Sequence, residues 1–404
     1  MLEFAGLRRK APVMSTLVMI PPTPVQVLEQ ERVVLDKKFV EGMARHCERW
    51  PGPVHCILRR GAHKIPFGAE YAKQDLGFAL SVIDSDAAVP NSALEDAGLI
   101  LCSGDMVHEL DMWRRMVQAQ HAKLVYVVEY TLETRLRIAW HDRGRGALRK
   151  LYSMGWNLAQ ERHRRRAFRA ADGVQVNGYP AHEVYGRLNS NCLLYLDNRM
   201  TLELFARPEE MDARAAYLRG GGPIRLIHSG RLEPMKGAQD LLPVARGLLD
   251  AGVEFTLDIY GTGTLESELS RAAAQPGLKG RVRLHGPVDF VETLVPAARQ
   301  EADLFLSCHR QSDPSCTYME AMGCGLPVLG YNNRMWSALQ RESGGGWAVP
   351  MGRVEALSRT IAELAAARER LLEAGARALA FAQANDFETV FAQRMAHLRD
   401  TFAR

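Results

Sequence analysis

The sequence predicts an α/β protein made of two doubly wound parallel units with a cleft between them. Three observations point there. The chain has 404 residues, more than one ordinary core takes up. Short apolar runs alternate with polar stretches of helical length in both halves, as strands and crossover helices do. A glycine run, Gly220-Gly221-Gly222, interrupts the alternation near the middle.

In chain order, Ser15–Ile20 reads as the first buried strand. Met14–Ile20 follows Arg8-Arg9-Lys10 in the manner of a leader, but Pro21, Pro22 and Pro24 come at once and no small-x-small cleavage site is evident. Arg32–Arg49 is predicted as a helix, and Pro53–Leu58 and Phe78–Ile83 as strands. Leu99–Ser103 is a strand ending in Gly104-Asp105, and Lys123–Val128, Gly173–Val176 and Cys192–Leu196 complete the first unit. Arg214–Pro223 is the expected linker, separating a domain over 1–213 from one over 222–384. In the second unit, strands are expected at Ile224–His228, Phe255–Tyr260, Val282–Leu284, Leu304–Ser307, Pro327–Leu329 and Trp347–Val349. Helices are expected at Ala238–Ala251, Leu265–Ala274 and Leu357–Glu373, with a last amphipathic helix at Phe387–Phe402. Two such units leave a cleft at the carboxyl ends of their strands, the usual ligand position in these sheets.

Composition narrows the class. Hydrophobic residues make up 47% and charged residues 24%, ordinary for a water-soluble globular protein. No run of eighteen apolar residues predicts a spanning helix. Seven scattered cysteines without paired spacing predict reduced thiols and a cytoplasmic protein. The net charge of +4 is uneven. Arg135–Arg169 holds eleven Arg and Lys against two acids, Asp142 and Glu161, so this segment carries +9 and the remainder −5. Trp140, Leu148, Leu151, Tyr152, Trp156 and Phe168 interleave the charge. An anionic membrane surface or a lipid-diphosphate acceptor is the leading reading, with a peripheral position on the inner face of the plasma membrane. A solvated helical face is the alternative. Nucleic acid is not expected, since no base-reading motif accompanies the charge.

Two motifs carry chemistry. Ser229-Gly230-Arg231-Leu232-Glu233-Pro234-Met235-Lys236-Gly237 places two cations on a turn after the strand Ile224–His228. Fixed cations stabilise a departing nucleoside diphosphate, Arg231 by gripping two oxygens and Lys236 as a point charge. Ser312-Asp313-Pro314-Ser315-Cys316-Thr317-Tyr318-Met319-Glu320-Ala321-Met322-Gly323-Cys324-Gly325-Leu326-Pro327-Val328 reads as a polar loop, a short helix and a turn into a strand. The backbone amides of Ser315, Cys316 and Thr317 at that helix start suit a phosphate, and Glu320 lies within reach of a sugar hydroxyl beside it. Together they predict a site for a sugar on a diphosphate.

Gly261-Thr262-Gly263 follows the strand Phe255–Tyr260 and resembles a partial dinucleotide fingerprint, with Glu266 at the third glycine. Asp84-Ser85-Asp86 is expected to be a solvated turn, lying in the half opposite the cations, and His309, Cys316 and Cys324 fit no zinc spacing. No metal and no cofactor are expected.

These motifs resemble the donor half of the retaining glycosyltransferases of family four, which have the GT-B fold. The string G-R-L-x-x-x-K-G is intact from Gly230 to Gly237. Of E-x-x-x-x-x-x-x-E-A-M-A-x-G-x-P-V, only the part from Glu320 to Val328 survives, with Gly323 for the second Ala. The resemblance spans roughly 222–345 and is poor in the N-terminal half. It implies donor-binding roles for Gly230, Gly261, Gly263, Ser315, Cys316 and Thr317, and Glu320 on the nucleotide ribose. It also implies a last helix, 387–404, crossing back onto the first domain.

The chain departs from that family at two places. The first Glu of the paired motif falls at Ser312, so the sugar contact is open between the Ser312 hydroxyl and the Asp313 carboxylate. Where relatives often carry a His after Lys123–Val128, this chain has Glu129-Tyr130-Thr131. Glu129 is either a general base for an acceptor hydroxyl or a strand-end carboxylate bonded to loop amides. The catalytic candidates are therefore Arg231, Lys236, Asp313 and Glu129. The expected activity is transfer of a sugar, with retention and without metal, from a nucleoside-diphosphate donor to a glycan or lipid-linked acceptor. Cell-surface polysaccharide synthesis in a bacterium is the expected setting. A non-catalytic sugar-nucleotide binder and a nicotinamide oxidoreductase are the other classes.

Overall fold

The structure, a computed structural model, describes residues 15–61, 65, 68–119, 122–141, 144 and 146–404. Arg8-Arg9-Lys10 and Met14 of the leader-like stretch, and Asp142, Arg143 and Arg145 of the basic segment, lie outside these residues.

Among the described residues, sixteen strands form two sheets. The first contains β1 (Thr16–Ile20), β2 (Pro24–Val27), β3 (Arg32–Asp36), β4 (Val54–Arg60), β5 (Gly68–Ala72), β6 (Ala79–Ile83), β7 (Ala97–Ser103), β8 (Lys123–Val128), β9 (Gly173–Asn177) and β10 (Cys192–Tyr195). Its parallel body runs β6-β4-β1-β7-β8-β9-β10, and β2-β3-β5 extend it as a flap in which β3 pairs antiparallel with both neighbours. The second sheet contains β11 (Ile224–Ser229), β12 (Phe255–Tyr260), β13 (Val282–Gly286), β14 (Leu304–Ser307), β15 (Val328–Tyr331) and β16 (Gly346–Val349). All its pairs are parallel, in the order β13-β12-β11-β14-β15-β16. Strand order reverses between β1 and β7 in one sheet and between β11 and β14 in the other. Crevices open at such reversal points, beyond the carboxyl ends of the strands.

The sequence reading needs three corrections. Arg32–Arg49 is not one helix: Arg32–Asp36 is β3, and the helix is Lys37–Arg49. Val33 and Leu35 bury one face of the strand, and the Asp36 carboxylate then caps the helix by accepting from Phe39 N at 3.0 Å. Leu357–Glu373 is also divided, into the helices Val354–Ala366 and Glu369–Ala384.

The third correction concerns the linker. Arg214 lies in the helix Pro208–Arg219, and its buried guanidinium donates to the carbonyls of Ala298, Arg299, Cys324 and Gly325. Leu218 joins the core of the second sheet, as do Leu196, Met200 and Phe205. The chain therefore crosses between sheets at about Leu196–Arg207, before the glycine run. It crosses back at Asn385–Phe387, where Asn198 Nδ2 donates to Asn385 O and Phe387 N donates to Met200 O, both at 2.9 Å. The last helix, Phe387–Ala403, buries Phe391, Met395 and Leu398 against Leu17, Leu99 and Val125 of the first sheet.

Candidate functional site

Both crevices face the space between the sheets. On the second sheet, β11 ends in a turn bearing Arg231, Glu233 and Lys236. Gly237 has φ of 70°, and a Cβ there would lie 1.7 Å from Cys308 O, so the turn packs directly on the loop after β14. Gly261 has φ of 127°, and a Cβ there would lie 1.9 Å from Gly230 O. The loops after β11, β12 and β14 thus nest backbone to backbone. Gly261 and Gly263 shape the wall behind the Arg231 turn.

Lys236 is buried, and its ammonium donates to Asp313 Oδ2 at 2.5 Å. Asp313 Oδ1 is buried without a hydrogen-bond partner. Arg231 is exposed on the same turn. Beside them runs the helix Cys316–Gly323. Ser315 occupies its cap position, but the Ser315 side chain makes no capping bond and pairs with Thr317 Oγ1 at 2.9 Å. The first-turn amides are therefore left for an anion. Glu320, one turn in, is buried, and its Oε1 accepts from Arg199 Nε at 2.8 Å. Beside Glu320 is a narrow pocket lined by Ser229, Phe290, Leu294, Phe305 and Ala321.

Of the two candidates for the missing Glu, Ser312 is buried and its Oγ accepts from Arg334 N at 3.1 Å, at the start of the helix Arg334–Ser343. Asp313 carries the unsatisfied oxygen. His309, weighed from the sequence only as a zinc ligand, follows β14 beside these groups. It is buried, with neither ring nitrogen partnered among the described residues. Burial pulls its pKa well below the ordinary value, and Lys236, His228 and Arg231 act in the same direction, so the ring is neutral.

On the first sheet, Glu129 and Tyr130 follow β8. Asp105, after β7, accepts from Glu129 N at 2.9 Å and from Tyr130 N at 3.3 Å, and pairs with Arg135. The loop-amide role open for Glu129 thus falls to Asp105. The Glu129 carboxylate accepts a hydrogen bond from Asn177 Nδ2 at 3.5 Å. Burial, then Asp105 and Asp197, raise its pKa to about 7. Tyr130 senses the charges of Asp313 and Arg231, so this loop faces the Lys236 turn across the cleft. Arg334 closes one side, reaching Glu133 at 3.2 Å and Glu183 at 2.7 Å on the first domain.

The Asp84-Ser85-Asp86 turn is wrapped on Arg59, whose Nη1 takes the carbonyls of Asp84, Ser85 and Ala87. Among the described residues, no three His, Cys, Asp or Glu side chains gather as metal ligands.

Two parallel sheets closing on such a cleft make this a GT-B fold. Residues 210–379 match the family model described as Glycosyl transferases group 1. The amylovoran biosynthesis glycosyltransferase AmsK of Erwinia amylovora is 30% identical over 156 residues, 35% of this chain and 36% of that protein. The putative colanic acid biosynthesis glycosyltransferase WcaL of Salmonella typhimurium is 30% identical over 155 residues, again 35% and 36%. The chain thus spans about a third of the length of the curated relatives it matches. The crystal structure of Anabaena Alr3699/HepE in complex with UDP-glucose has a TM-score of 0.62 over 96% of this chain and 100% of that one, at 15% identity. That likeness is one of fold.

Proposed function

We propose that the protein is a retaining, metal-independent glycosyltransferase using a nucleoside-diphosphate sugar, with a glycan or lipid-linked acceptor of bacterial polysaccharide synthesis. The observation that carries this is the convergence of the Arg231–Lys236 turn, the uncapped start of the Cys316–Gly323 helix and buried Glu320 at one strand-order reversal. The relatives' names in polysaccharide biosynthesis support it, as does the UDP-glucose complex of HepE.

In this reading Arg231, Lys236 and the amides of Cys316 and Thr317 hold the diphosphate, and Glu320 takes the ribose hydroxyls; the Ser315 amide, expected to join them, instead donates to Asp313 O at 2.9 Å and closes the turn before the helix. Asp313, through its free Oδ1, takes a hydroxyl of the donor sugar. As the bond from the anomeric carbon to the diphosphate oxygen breaks, negative charge grows on that oxygen, and the cations favour this state over the ground state. The acceptor oxygen bonds to the same face of the carbon. Its proton passes to the leaving diphosphate, and ionised Glu129 accepts a hydrogen bond that orients the acceptor. No residue of the chain needs to form a covalent intermediate.

The acceptor domain also offers a surface for lipid. The helix Ala147–Ala170 exposes Leu148, Leu151, Tyr152 and Trp156 along one stripe. Exposed Arg162 and Arg166 continue that stripe toward the C-terminal end. A half-apolar, half-cationic face of this kind suits an anionic membrane.

The direct test is turnover of UDP-, GDP- and ADP-sugars. Arg231→Ala and Lys236→Ala should each lower turnover about a hundredfold or more on whichever donor the wild type uses. Near-normal rates in both variants would refute the assignment.

A further inference from the structure

Resting on that reading of Glu320, we propose that Arg199 occupies the nucleoside subsite and sets donor affinity by having to leave it. The Arg199 Nε donates to Glu320 Oε1 at 2.8 Å, and the guanidinium carbon lies 3.7 Å from the centre of the Phe290 ring. Glu320 and Phe290 line one pocket. At 3.7 Å two flat groups are in van der Waals contact, so no base fits between them. A ribose diol using both carboxylate oxygens of Glu320 meets one that is already engaged. The side chain therefore covers the two surfaces that a nucleoside would take.

Arg199 can leave without the chain moving. Asn198 on one side bonds Leu196 O, Asn385 O and Met200 N, and Met200 O on the other side accepts from Phe387 N. The backbone is held between the two crossovers, so release is a side-chain rotation. Asp197, partly exposed and already near Lys38, is the acceptor within reach of the freed guanidinium. Donor binding thus exchanges a charged stack and an ion pair for a base and a diol. The exchange weakens nucleotide binding relative to an open pocket.

The experiment is calorimetric titration of wild type, Arg199→Ala, Arg199→Lys and Lys236→Ala with UDP, GDP, UMP and GMP. Arg199→Ala should bind the preferred diphosphate at least fivefold more tightly than wild type, and the matching monophosphate by a similar factor, because the gain arises at the nucleoside. Arg199→Lys, which keeps the charge without the flat stack, should fall between and serves if the alanine variant does not fold. Equal or weaker binding by Arg199→Ala, or a gain confined to the diphosphate, would overturn the proposal while weakened Lys236→Ala leaves the donor site standing. Absence of nucleotide binding by wild type, or an unaffected Lys236→Ala, would overturn the site itself and this proposal with it.

Discussion

Glu129 shows how one position is tuned by its neighbours. Burial and the nearby charges of Asp105 and Asp197 outweigh the hydrogen bond from Asn177, and the pKa of the half-buried Glu129 rises from 4.5 to about 7. A raised pKa means the fold favours the protonated form. Its contribution to stability is fully present below about pH 4.5 and is lost as pH climbs through about 7. To accept the hydrogen bond that orients the acceptor, Glu129 must be ionised, so turnover should rise with pH through about 7 while stability falls. Glu129→Gln should flatten both profiles, as rate measurements and thermal melts between pH 5 and 8 would show. A second prediction concerns the loop after β14. Asp313 has the free oxygen and Ser312 is engaged with Arg334 N. Asp313→Asn should lower turnover at least tenfold, and Ser312→Ala less than threefold. The opposite order in steady-state rates would assign the sugar contact to the hydroxyl.

At the scale of elements, the helix Ala147–Ala170 divides its residues more finely than its charge implies. Of the arginines that make Arg135–Arg169 so basic, Arg164 is buried, with Nε and Nη1 unpartnered, and burial lowers its pKa to about 10. Arg165 pairs with Glu161 at 2.9 Å. Arg149, Arg162, Arg166 and Arg169 are exposed, and the last three lie together toward the C-terminal end of the helix. Replacing the three with Gln should reduce co-sedimentation with anionic vesicles strongly at low salt, since each basic group near such a surface contributes about 1 kcal/mol and salt screens it. Leu151→Ser with Tyr152→Ser should reduce it at all salt concentrations. Unchanged binding in both variants, or none in wild type, would leave the helix a solvated face.

Over the whole molecule, the proposed transfer depends on two sheets presenting their strand ends to each other. The two crossovers are bonded together at Asn198–Asn385 and Met200–Phe387. Across the cleft, Arg334 spans to Glu133 and Glu183, and Arg137 donates to Arg310 O. The diphosphate charge would be met by Arg231, Lys236 and a helix end, and the D-x-D turn Asp84-Ser85-Asp86 lies on the first sheet, where its backbone carbonyls bond Arg59. Turnover should therefore survive EDTA. Loss of activity on chelation, with recovery on adding magnesium or manganese, would show that a cation is required.

The two-unit α/β architecture was legible in the chain because buried parallel strands are short continuous apolar runs, and such runs stand out. β8, β12 and β14 fall on the residues that the pattern marks. The cation turn and the Glu320 helix were legible for a related reason: glycine-bounded turns and helix starts are local, so their residues stay together in sequence. Short strands of the antiparallel flap were not, since β2, β3 and β5 are half exposed and lack that apolar run. Nor was the crossover at Leu196–Arg207, because the glycine run was the stronger local signal while burial of Arg214 depends on carbonyls about a hundred residues away. Arg199, Asp105 and His309 belong to the same class. Each follows a strand at its carboxyl end, a position that the alternation alone could have flagged. The groups that they meet or face, Glu320, the amides after β8 and the Lys236 turn, are distant in sequence. Which charge meets which is a matter of long-range packing, and pattern along the chain carries no information about it.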